Sequence, residues 1–196
     1  MAFQDLVTEM HDLIDSMVEG IDGLYTALIY SNVKVMADVE ASIQHVRERM
    51  PALTESLIEG EKDTDLAMKY AGLPSHIERI GENLGRIAQA IKGKIAENIL
   101  FSDKAISELE YLFGRVRDMM ANTKDMILAR NTLVARHLEE SEKALESTAN
   151  VYATLHEERL IEGLCMPRAS SLYLEMIESF KGIAWHCKEI ARTLVR

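Results

Sequence analysis

The sequence predicts an all-α protein, and three observations carry that reading. Apolar residues recur at every third or fourth position over most of the chain, the spacing of a helix that buries one face, whereas a half-buried strand would alternate. Only three prolines and ten glycines interrupt 196 residues, so the periodic stretches run long. Turn and cap signals at Gly60 to Thr64, at Ser102 or Asp103 and at Gly163 to Pro167 help to divide the chain into six helices with short connections.

In the first helix Leu6, Met10, Leu13, Met17, Ile21, Leu24 and Leu28 step by three or four, the stripe of a helix packed on neighbours. A second helix is predicted from Val33 to Glu59. Gly60 to Thr64 reads as a turn, with Asp63 as N-cap of a third helix whose inward stripe is Ile77, Ile80, Leu84, Ile87, Ile91 and Ile95. Gly72 and Pro74 are expected to kink or restart it. Ser102 or Asp103 caps a fourth helix with Ile106, Leu109, Phe113, Val116 and Met120 inward, and a fifth runs from about Asn131 to Glu162. Pro167, after Gly163, starts the sixth, with Leu172, Met176, Ile183, Ile190 and Leu194 inward.

Six helices joined this way allow two bundles of three, at residues 1–99 and 100–196. An internal repeat supports the division. Ile80, Ile87 and Ala88 recur as Ile183, Ile190 and Ala191, each 103 residues later, and both helices follow a Gly/Pro break.

Composition narrows the function classes. With 22 Lys and Arg against 32 Asp and Glu, the formal charge is −10, which opposes a nucleic-acid contact surface. The only cysteines are Cys165 and Cys187, and no basic segment precedes an apolar leader, so a reducing, cytoplasmic setting is expected. The longest lipid-like run, Leu24 to Tyr30, falls far short of the ~20 residues of a spanning helix. Any membrane association would be peripheral and through partners.

Enzymatic signatures are not found. Ferritin-like di-iron chemistry draws on Glu-x-x-His pairs, and the sequence contains none, nor a His-Glu-x-x-His run or a recognised nucleophile motif. His156 heads His-Glu-Glu-Arg-Leu, superficially like a phosphoacceptor histidine, but no Gly-rich or Walker-type loop accompanies it. The expectation for it, as for His11, His45, His76 and His137, is a helix-surface or interhelical role. Most of the eleven methionines, including Met36, Met50, Met68, Met119, Met120 and Met126, lie on or beside the apolar stripes and read as core.

The run Ile77-Glu78-Arg79-Ile80-Gly81-Glu82-Asn83, followed by Ile87-Ala88, resembles the signature of PhoU domains. A second segment, Leu155 to Leu160 and then Glu162-Gly163-Leu164-Cys165, Pro167 and Ser170 to Leu174, is similar to the family's connection between its fifth and sixth helices. The resemblance covers roughly residues 60 to 196; over the first two helices it rests on helix number and order. It implies two tandem three-helix bundles related by a pseudo-twofold repeat. It further implies a non-enzymatic regulator of phosphate uptake or phosphate-starvation signalling, docking on a phosphate transporter or a sensor histidine kinase at the inner membrane face, and able to pair as a homodimer.

The resemblance also implies metal chemistry, because family members often hold iron or zinc on an acidic-x-x-x-acidic pair in the third helix of each half. The matching residues in the first half are Glu78 and Glu82. At i and i+4 they lie ~40° apart around the helix, nearly opposite the apolar stripe, so one outward face could carry a cation. The plainer reading is a solvated helix face with Arg79 and Arg86 nearby. In the second half the matching positions are Lys181 and Trp185, which leaves His186 as the remaining ligand. Trp185, outward at a family acidic position, is the candidate partner anchor. Two alternatives to the regulator therefore stand: a metal-binding module acting as sensor or store, completed by carboxylates such as Asp12 or Asp15, and a self-associating scaffold.

Overall fold

The computed structural model describes residues 2–59 and 65–195. Within them the chain forms α1 (Phe3–Tyr30), a 3-10 turn (Val33–Met36), α2 (Ala37–Glu59), α3 (Asp65–Ala71), α4 (Leu73–Ala96), α5 (Asp103–Ala129), α6 (Thr132–Ile161) and α7 (Pro167–Val195). The six long helices are those the periodicity predicts. The third is divided rather than kinked: α3 ends at Ala71, and α4 restarts after Gly72 with Pro74 in its first turn, where the missing N–H costs nothing. The Asp63 cap lies outside the described residues.

Local chemistry sets the helix ends. Ser102 Oγ accepts the Ala105 amide at 3.2 Å, and Asn131 Oδ1 accepts the Leu133 amide at 2.8 Å, so each side chain satisfies an otherwise orphaned helix donor. The connection after α6 passes through Gly163 at φ +73°, a left-handed conformation that glycine adopts without a Cβ clash.

The inward stripes are buried almost as predicted. Ile95 and Ile106, on either side of the α4–α5 connection, are only partly covered. Met36, Met50, Met119, Met120 and Met126 are core residues, but Met68 is 63% exposed.

Helices α1, α2 and α4 pack on one another, as do α5, α6 and α7, giving two three-helix bundles. The bundles are then joined through α1 against α5 and α4 against α7, the most extensive helix contact in the molecule. Partners across the seam are helices in equivalent positions of the two halves, which is what a pseudo-twofold arrangement requires. Ile80, Ile87, Ala88, Ile183, Ile190 and Ala191 are all buried. Tyr25 of α1, Phe113 of α5 and Phe180 of α7 form an edge-to-face chain, with ring centroids 5.6 Å and then 4.8 Å apart. The apolar interior is one continuous cluster spanning both bundles.

Close approaches at Gly20, Gly23 and Gly182 need small residues; at Gly23 a Cβ would lie 2.5 Å from the Val35 carbonyl oxygen. A Cβ at Gly20 of α1 would lie 2.6 Å from Val39 Cβ of α2, and one at Gly182 of α7 would lie 2.8 Å from Asn83 Oδ1 of α4. Asn83 is held in turn by donating Nδ2–H to the Arg79 carbonyl at 2.8 Å. No helix among the described residues is long and apolar enough to cross a membrane.

Candidate functional site

Glu78 and Glu82 lie on one side of α4, as their spacing requires, but neither stands on open surface: both are half-buried. Glu82 accepts a hydrogen bond from Arg79 Nη1 at 2.7 Å. Glu78 instead faces α2 across an open groove of about 470 Å³, whose walls include Met50, Pro51, Thr54, Ile58 and Pro74, with Glu55 and Glu59 beside them. The groove is an apolar trough edged by three carboxylates. Asp15 is engaged by Lys124 at 2.5 Å and Asp12 by His11 at 2.8 Å. Among the described residues no three His, Cys, Asp or Glu side chains are grouped to hold a metal ion.

At the α4–α7 seam the structure brings together residues that the sequence keeps 110 positions apart. His76 Nδ1 and His186 Nδ1 are 2.9 Å apart. Trp185, 44% exposed, covers the pair, its ring centroid 4.8 Å from His186 and 5.8 Å from His76. Lys188 Nζ sits 5.6 Å from the centre of the indole and also pairs with Glu142 at 2.9 Å. Burial holds both imidazoles below their ordinary range. For His186 the adjacent His76 and Arg79 add to this, bringing it to about 4, so both rings are neutral at pH 7.

No protein-family model and no curated protein matches the sequence. The solved structures do match. PhoU from Pseudomonas aeruginosa superposes with a TM-score of 0.85 at 14% identity, over 98% of this chain and 93% of that one. The phosphate transport system regulatory protein PhoU from Streptococcus pneumoniae gives 0.83, also at 14% identity, over 98% and 92%. This chain has the PhoU fold. At that identity the likeness is one of architecture, and the side chains have to be read from this molecule.

One set of side chains in this PhoU fold escaped the sequence reading. Glu108 of α5, only 1% exposed, receives Arg159 Nη1 and Nη2 of α6 at 3.1 and 2.8 Å, and Tyr173 Oη of α7 at 2.5 Å. His156 stacks on the Tyr173 ring at 4.1 Å, with Nε2 2.9 Å from Ser170 Oγ. Its Nδ1 lies 3.4 Å from Arg159 Nη2. A guanidinium can only donate, so Nδ1 accepts and the ring is the neutral Nε2–H tautomer. The interhelical role expected for His156 is what the structure shows. The network ties all three helices of the second bundle beneath the α6–α7 connection. A signal was available: Glu108 falls inside the apolar stripe of Ala105, Leu109 and Leu112, where a lone carboxylate needs a buried partner.

His156 also sets a pH dependence. Burial, then the Arg159 charge, hold its pKa below the ordinary 6.5. Between the folded value and 6.5 the unfolded chain binds the extra proton, so stability rises with pH across that window and falls as pH is lowered through it. The group contributes at most ~1.4 kcal/mol per pH unit. Urea melts at about pH 7 and pH 5.5 are expected to show this loss, and His156→Gln is expected to reduce it. An unchanged pH dependence in that variant would assign the loss to other groups.

Proposed function

We propose that this chain is a non-enzymatic member of the PhoU family that restrains phosphate uptake or phosphate-starvation signalling. It does so by docking on a phosphate transporter or its sensor histidine kinase at the cytoplasmic face of the membrane. The observation that carries the reading is the match of 98% of the chain to two PhoU structures, joined to the Glu-Arg-Ile-Gly run at Glu78 to Gly81 on α4. The surface chemistry supports it. The α2–α4 groove combines an apolar floor with Glu55, Glu59 and Glu78, on a chain of net charge −10, and a basic cytoplasmic segment of a membrane protein complements both features.

Trp185 is the second contact. A half-exposed indole on a rigid helix can bury a large apolar area at small entropic cost, which is the usual character of an interface anchor.

The test is recovery of the tagged protein from its native membranes, with identification of what accompanies it. A phosphate transporter or sensor kinase is expected, and Trp185→Ala is expected to weaken that recovery about tenfold or more, as loss of a hot-spot aromatic does. Full recovery by the variant would remove Trp185 from the interface. Recovery only of further copies of the same chain would favour the self-associating scaffold.

A further inference from the structure

We propose that His76 and His186 form a binding site for a borderline divalent cation, of the class Ni²⁺, Cu²⁺ or Zn²⁺, at the seam between the two bundles. The site does not depend on the regulatory reading; Glu82, paired with Arg79 on α4, lies near enough to act on His186 through its charge, but the proposed ligands are the two imidazoles alone.

Geometry is the main argument. Two imidazole nitrogens in cis positions at right angles around a metal, each ~2.0–2.1 Å from it, are about 2.9 Å apart. The observed Nδ1···Nδ1 separation is 2.9 Å, so a tetragonal ion needs the rings to turn but not the helices to move. A tetrahedral ion needs the nitrogens roughly 0.4 Å farther apart. Both ligands sit on long, packed helices, α4 and α7. Both rings are neutral, the form that ligates.

In the metal-free pair one Nδ1–H donates to the other Nδ1. On binding, that proton moves to Nε2 of its own ring, so both Nδ1 lone pairs face the metal with no net proton lost. The charges of Glu82 and Glu189 favour a positive ion at His186, and Arg79 opposes it. No third His, Cys, Asp or Glu joins the pair among the described residues. Water completes the shell, and imidazole selects borderline ions over Mg²⁺ or Ca²⁺.

Trp185 is the single tryptophan of the chain, and its ring centroid lies 4.8 Å from that of His186, so its fluorescence reports the site directly. Titrating the untagged full chain with Cu²⁺ is expected to quench that fluorescence saturably at one equivalent. The copper electron paramagnetic resonance spectrum should show two nitrogen ligands, and Zn²⁺ should compete and restore emission. His76→Gln and His186→Gln should each raise the copper concentration needed at least tenfold, while replacing His11, His45 and His137 together should leave the titration unchanged. Absence of saturable quenching in the unaltered chain, or equal quenching in both single variants, would overturn the site and leave a hydrogen-bonded histidine pair. Should either variant fail to fold, stoichiometry and nitrogen count in the unaltered chain decide.

Discussion

Replacing Glu108 with Ala is expected to lower the free energy of unfolding by about 3–5 kcal/mol, the usual cost of leaving one member of a buried ion pair behind. The side chains of Glu108 and Arg159 are 1% and 16% exposed, so water cannot take over the lost contacts. Arg159 would keep its charge without the bidentate carboxylate, and the Tyr173 hydroxyl would lose its acceptor. For a chain of this size the loss corresponds to a fall in Tm of roughly 6–20 °C. Glu108→Gln, which keeps the volume and an acceptor for Tyr173, should lose less. The triple change Glu108→Leu, Arg159→Met, Tyr173→Phe should recover much of the stability, because the cost lies in the unpaired charge rather than in the absence of a pair. Chemical denaturation of the four proteins checks the series. A Glu108→Ala loss below ~1 kcal/mol would mean that the pair behaves as a solvated surface contact.

Phe180→Ala is expected to cost about 3–5 kcal/mol through lost burial and the cavity left behind. Its shape of unfolding is as informative as its size. Phe180 is fully buried and touches the aromatic chain that runs from α7 through Phe113 of α5 to Tyr25 of α1. Since the apolar cluster is continuous across the seam, the whole chain should unfold in one transition at lower denaturant with an unchanged m-value. Separate transitions for residues 1–99 and 100–196 would show instead that the halves are independent domains.

Much of the fold was legible because helical periodicity is a local property. The stripes of α1, α4 and α7 can be read without knowing what they pack against, and Ser102 and Asn131 announce their helices by chemistry alone. What escaped depends on helices meeting. The juxtaposition of His76 with His186, the fit of Asn83 over Gly182 and the approach of Gly20 to Val39 are set by how α1, α2, α4 and α7 cross, and no single stripe encodes a crossing. Glu82 is a case between the two. Its place on the same side of α4 as Glu78 followed from spacing, but its partial burial and the Arg79 side chain that engages it did not. Of the candidate site residues, Trp185 was singled out because it stands where the resembled family carries an acidic residue. His76 was passed over because one histidine on one helix carries little information until its partner is known.

Whether this PhoU-fold chain restrains phosphate acquisition is tested most directly by the rate of labelled phosphate uptake in phosphate-replete cells of the parent organism with and without its gene. Uptake is expected to stay high in the deletion strain, and expression of the intact chain is expected to lower it again. Uptake that is the same in both strains, under both replete and starved conditions, would contradict that restraint.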